Sequence, residues 1–356
     1  MKFGVFLPNG SNGYILSAGS PVYTPTFEHN KAISIEAEKQ GLDFVLSMMK
    51  FRGFGGETGF WDACLESFTL MAGLAGVTNK IELFPSIALL SQHPAVTARM
   101  IATIDDISDG RCGLNIVTGW NSPEYKQMNL WPGDSHYEHR YEYATEYLHI
   151  LKTLWKDGRC THNGEFFQLN DCRMYPTPSR EIPIVCAGQS PTGKQFVADS
   201  GDFQFVTGPK AKVKPGVADI KRRAQKAGRN VGVFALMQMV IADTDDEAVR
   251  LTQEIVQRAD IGAIENMVSS ATMDTNKEGT SDALKGALEE SVEEGNMVFM
   301  AVPVILGSPE TIAAQIDKVA VDTGIDGICF SWPDFVPNIK QFGEEVLPRL
   351  QCINAT

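Results

Sequence analysis

The chain has no surplus of positive charge: 31 Lys and Arg stand against 44 Asp and Glu, a formal net charge of −13 over 356 residues. A protein that neutralises nucleic-acid phosphates needs a basic face, so nucleic acid is excluded as a partner. The same deficit argues against anionic membrane surfaces. No apolar run approaches the length of a membrane span, and Met1-Lys2 leads straight into the strand-like Phe3–Leu7, with no leader pattern. The seven cysteines form no C-x-x-C and leave one unpaired if bridged. Several fall in apolar runs, where Cys acts as a small hydrophobe. Free thiols in a reducing cytoplasm are the expectation.

Familiar catalytic fingerprints are missing as well. The six histidines show no H-x-H or H-E-x-x-H spacing, which speaks against a metal site. There is no G-x-S-x-G, hence no hydrolase elbow. Neither G-x-G-x-x-G nor G-x-x-x-x-G-K-[ST] occurs, so no dinucleotide or P-loop signature is present.

What remains is a regular alternation of apolar runs and helical periods. Strands are expected at 2–8, 43–48, 81–90 (interrupted by Pro85-Ser86), 112–118, 182–188, 203–206, 231–242 and 327–332. Helical spacing falls between them, for example at 28–40, 94–108, 244–258 and 309–323. Roughly eight parallel strands with crossover helices point to an α/β fold, a TIM (β/α)8 barrel of about 250 residues. The rest of the single domain, residues 1–356, fits insertions near 119–140 and 260–300. A doubly wound open sheet is the rival, and the missing nucleotide fingerprints weigh against it. Asn163-Gly164 predicts a tight type I′ hairpin.

The densest functional stretch is 112–155. Gly113–Thr118 reads as a buried strand carrying one polar residue, Asn115. It breaks at Gly119-Trp120-Asn121-Ser122-Pro123, and a helix follows after Trp131-Pro132-Gly133-Asp134. In a barrel the C-terminal strand ends converge on one face. Here they offer Met48-Met49-Lys50, Ser86, Asn115, Trp120 and Gly188-Gln189-Ser190. Ser190 before Pro191 has the form of an N-cap, and such a helix start attracts phosphate. Arg140 and Tyr141 could serve the same anion. Spacing alone fits equally well a mere cap at Ser190 and ion pairs of Arg140 with Glu138 or Glu142. A site without base, nucleophile or metal suggests that a cofactor does the hard chemistry.

The stretches GVFLP, YTPTFEHNKA, DFVLSMMKFRGFGG, ESFTLMAGLAGVT, ARMIATIDDISDGR, GLNIVTGW, PEYKQMNLWPGD, RYEYATEYLHILKTLW, NDCRMYPTPS and VCAGQS run from residue 4 to about 190, and FGEEVLPRLQC follows at 342–352. Together they resemble the flavin-dependent monooxygenases of the bacterial luciferase-like family, most closely its pyrimidine (uracil) monooxygenases. The resemblance implies a TIM barrel that takes reduced FMN from a separate NADH-dependent flavin reductase. Carried over, the FMN contacts are Met49, Lys50, Asn115, Glu124, Arg140, Tyr141 and Ser190. Leu46, Met48, Ser86, Asn115 and Trp120 map to a dioxygen pocket beside the flavin. Ser86 departs from the threonine usual in that group, keeping the hydroxyl and losing a methyl.

The mechanism so implied needs no protein base. Oxygen activated by reduced FMN attacks C4 of uracil, the N3–C4 bond breaks, and a ureidoacrylate-type product forms. Ser86 and Asn115 would be two neutral donors aimed at the reacting oxygen. The implied partners are uracil or a related small cyclic amide, and the reductase; a homo-oligomer stays open. So do a sulfone, sulfonate or haloarene substrate, a deazaflavin-dependent hydride transfer on the same barrel, and a non-catalytic flavin-binding role.

Overall fold

Eight of the apolar runs end up side by side in chain order in the computed structural model, which describes residues 1–274, 287 and 290–353. The strands are β1 (Lys2–Phe6), β2 (Phe44–Leu46), β3 (Glu82–Phe84), β4 (Ser86–Ala88), β5 (Leu114–Val117), β6 (Arg159–Asn163), β7 (Gln168–Arg173), β8 (Ile184–Cys186), β9 (Phe203–Val206), β10 (Gly232–Ile241), β11 (Val304–Gly307) and β12 (Gly327–Ser331). The main sheet runs β3-β2-β1-β12-β10-β9-β8-β5-β4, every pairing parallel. β3 and β4 are one chain segment split at Pro85, the first half pairing with β2 and the second with β5. The two ends of the sheet are therefore the same strand, and it closes into an eight-stranded TIM barrel.

Parallel neighbours need long crossovers, and helices supply them. They are α1 (Phe27–Lys39), α2 (Ser67–Ala75), α3 (Pro94–Ser108), α4 (Ser122–Lys126), α5 (His136–Asp157), α6 (Pro191–Ser200), α7 (Lys210–Lys226), α8 (Asp245–Gln257), α9 (Ile261–Ala271), α10 (Pro309–Thr323) and α11 (Phe335–Gln341). Alternate residues of the strands fill the barrel with Phe44, Phe84, Phe205, Phe234, Leu46, Leu236 and Cys329. Gly4 makes room for this filling, because a Cβ there would lie 2.3 Å from the Phe44 ring.

The expected tight hairpin is corrected, and two other readings gain detail. The 260–300 region opens with a helix, α9, whose Ala263, Ile264, Met267 and Ala271 are buried; the segments 275–286 and 288–289 lie outside the described residues. β6 and β7 do pair, but across four residues, 164–167, and Gly164 does not take a positive φ. The Glu146 carboxylate sets that loop instead, accepting from Phe166 N at 3.0 Å and Phe167 N at 2.7 Å. Arg140 pairs with neither Glu138 nor Glu142, which face solvent, but with Asp274.

α9 is tied to the barrel mouth through its cap, Asp260. Its carboxylate accepts from Ala263 N (3.0 Å), Glu57 N (3.1 Å), Thr58 N (2.8 Å) and the Thr58 hydroxyl (2.8 Å). Burial pushes this carboxyl up, but the hydrogen bonds outweigh it and hold it below the usual range. A carboxyl depressed in the folded state contributes stability above its unfolded pKa and loses it as pH falls through the folded value. Asp260→Asn should therefore cost about 1–3 kcal/mol at neutral pH. The gap should close below roughly pH 4. Denaturant titrations of both proteins across that range check this; a gap independent of pH would contradict it.

Candidate active site

At the C-terminal mouth of the barrel lies a cavity of about 250 Å³. Met48, Met49, Lys50, Ser86, Asn115, Trp120, Glu124, Arg140, Tyr141 and Ser190 all line it. Residues scattered over 143 positions of sequence, from 48 to 190, are thus brought together by strand ends and by the first turns of α4, α5 and α6. Leu46 is the exception: it is fully buried in the barrel filling, two residues before Met48 on β2.

The parallel register sets Ser86 opposite Asn115 on adjacent strands. Asn115 Nδ2 donates to Ser86 Oγ at 2.7 Å. The Ser86 hydroxyl in turn donates to the Ser47 carbonyl, and Ser86 N donates to Ser67 Oγ at 2.7 Å. The proton of Ser86 is thus directed at the backbone rather than into the cavity. Ser86 holds Asn115, and the buried Oδ1 of Asn115 has no partner among the described residues.

Two buried ion pairs flank this amide. Lys50 is paired with Glu124, their side chains 5% and 6% exposed, and Asn121 Nδ2 donates to the same carboxylate at 3.1 Å. The Lys50 ammonium sits 4.4 Å from the Phe54 ring centroid and 5.3 Å from that of Trp120. Burial pushes it down to about 7. The Glu124 carboxylate works in the opposite direction, favouring the charged form.

Arg140, on the first turns of α5, donates from Nη1 to Asp274 Oδ2 at 2.8 Å, while its buried Nε has no partner among the described residues. Ser190 caps α6, as its place before Pro191 predicts, accepting from Gly193 N at 3.1 Å. A Cβ on Gly193 would meet the Tyr141 hydroxyl at 2.5 Å, so only glycine lets that hydroxyl reach the helix start. A capped N-terminus, a hydroxyl and a guanidinium edge make an anion cradle.

Some contributors gave little sign of themselves in the sequence. Asn9, after Pro8 at the end of β1, clamps Met48 by both backbone groups, accepting from N at 2.9 Å and donating to O at 2.8 Å. Its position just past a strand end is the only signal. Phe54 and Trp61 form the aromatic wall behind Lys50; the Trp61 indole donates to the Gly13 carbonyl at 2.7 Å.

A closed parallel barrel with this polar mouth is an enzyme architecture, and comparison defines which. The chain belongs to the luciferase-like monooxygenase family, whose model matches residues 1–327. Among its relatives, the pyrimidine monooxygenase RutA of Cronobacter turicensis is 45% identical over 99% of this chain and 93% of its own length. That of Escherichia coli is 44% identical over 99% and 97%. The riboflavin lyase RcaE, solved with modified FMN and riboflavin, shares the fold at a TM-score of 0.85 and 22% identity, covering 100% of this chain and 92% of its own. The long-chain alkane monooxygenase LadA superposes at 0.83 and 20% identity, covering 99% and 92%.

Among the described residues no helix is long and apolar enough to cross a membrane.

Proposed function

We propose that this monooxygenase acts on the pyrimidine ring, using O2 and reduced FMN delivered by a separate NADH-dependent flavin reductase to oxygenate uracil at C4 and open the N3–C4 bond. The observation that carries the reading is the near full-length likeness to pyrimidine monooxygenases, at 45% identity over 99% of the chain. The site fits FMN in its own right. The Arg140 Nε, unpartnered among the described residues, the Ser190 cap and the Tyr141 hydroxyl suit a phosphate, and the apolar wall of Phe6, Met48, Trp120 and Phe205 suits a flat ring. Bound reduced FMN supplies the electrons that activate O2. Lys50, paired with Glu124, adds a polar contact beside the ring. Asn115, held by Ser86 through Nδ2, would offer its Oδ1 as an acceptor to the reacting groups. The aromatic walls exclude water, which strengthens every electrostatic contact within them.

The purified protein should bind oxidised FMN weakly and leave NADH untouched until a generic flavin reductase is added. NADH oxidation by the protein alone, at a rate matching uracil consumption, would count against the two-component reading. The phosphate assignment has its own check. Arg140→Ala should weaken FMN binding by roughly tenfold or more, the size of one charge-assisted contact. Riboflavin, which lacks the phosphate, should be nearly indifferent; equal losses for both flavins would place Arg140 elsewhere.

A further inference from the structure

Among the described residues, the ionised side chains lining the cavity are Lys50, Glu124, Arg140 and Asp274. They form two cation–anion pairs, so their charges sum to zero before any ligand enters. A phosphate monoester brings a charge of about −1.5 to −2. It would approach Arg140 while a carboxylate already sits 2.8 Å from Nη1 of the same guanidinium. Both members of that pair have side chains only 6% exposed, so water screens the repulsion poorly.

We infer that Asp274 is an internal counter-ion that competes with the flavin phosphate for Arg140 and sets how tightly FMN is held. This rests on the reading of Arg140 as the phosphate ligand. With the cavity empty, Asp274 compensates the buried guanidinium. The Nε–H, unpartnered among the described residues, gives the phosphate its contact, while the carboxylate held at Nη1 opposes it across the same guanidinium. That repulsion lowers affinity for every FMN redox state while preserving the preference for a phosphate. Weak holding suits an enzyme that must receive its flavin reduced and return it oxidised.

The test is to titrate the full chain and its Asp274→Asn variant with FMN and with riboflavin, followed by flavin fluorescence. Asp274→Asn keeps the shape of the side chain and removes its charge; Asp274→Ala serves as a second variant should the amide bond Arg140 in turn. FMN should bind roughly tenfold tighter to the neutral variants, about one charge-assisted contact, and riboflavin should be unchanged. The gain should vanish when Arg140→Ala is added. Unchanged or weaker FMN binding in both Asp274 variants, with Arg140→Ala still selective for FMN, overturns the competition and spares the phosphate site. Equal loss of FMN and riboflavin in Arg140→Ala alone would remove the phosphate site, and this inference with it.

Discussion

Asn115→Ala is expected to leave the barrel folded, keep reduced flavin oxidising, and release hydrogen peroxide in place of ring-opened product. Product formed per flavin oxidised should fall by roughly tenfold, because the Oδ1 acceptor left for an N–H or O–H of the reacting groups is lost, and a hydrogen bond left unmade costs about 1–3 kcal/mol. The physical basis is local. Asn115 is the one polar side chain on β5, it is 5% exposed, and its Oδ1 has no partner among the described residues. Among the described residues the amide oxygens of Asn30, Gln204 and Gln238 are likewise buried without a partner, but those side chains do not line the cavity and Asn115 does. Ser86→Ala should uncouple more mildly, because it frees the Asn115 amide to turn without removing it. Ser86→Thr keeps both hydrogen bonds of the hydroxyl and should be tolerated. Unchanged coupling in Asn115→Ala would end the oxygen-site assignment, and a variant that simply unfolds would return Asn115 to a structural role.

Breaking the Lys50–Glu124 pair should give the largest loss of stability. Removing one partner of a buried ion pair leaves the other uncompensated and costs about 3–5 kcal/mol. Glu124→Gln and Lys50→Met should each fall in that range, and the double variant should cost less than the sum of the two. The pH dependence separates them. In Glu124→Gln the buried lysine keeps its depressed folded-state pKa, without a carboxylate to favour the ammonium. Above the folded value, the unfolded chain then binds the extra proton. Stability of that variant should rise with pH from about 7, the value burial imposes on Lys50, towards the ordinary lysine range, and Lys50→Met should show no such rise. Equal slopes in the two variants would mean that Lys50 is not the group being compensated.

Much of this architecture is legible in the sequence because parallel strands are buried on both faces and read as apolar runs ended by Pro, Gly or Asn. α3 and α10 match their expected bounds, since His93-Pro94 and Ser308-Pro309 mark their starts. Ser190-Pro191 marks α6 in the same way, and with it the cap. Patterning failed where polar residues interrupt the period. α9 does repeat apolar residues at 261, 264 and 267, but it stands in an acidic, Ser-dotted segment that hides them. β11 pairs only with β10, outside the ring, and no strand is expected at 304–307. The Arg140–Asp274 pair spans 134 positions, and no local rule selects Asp274 over the nearer Glu138 and Glu142. Leu46 shows the limit of carrying a role over by motif: it lies in the same run as Met48 and Lys50, yet packs inside the barrel.

The reaction proposed for this chain opens a pyrimidine ring with oxygen taken from O2. Mass spectrometry of the products from uracil, FMN, NADH and a generic flavin reductase under isotopically heavy O2 tests it most directly. A ureidoacrylate-type product whose carboxylate carries one heavy oxygen atom is expected, dependent on both the reductase and this protein. Intact uracil, or a ring-opened product that draws its new oxygen from water, would contradict it.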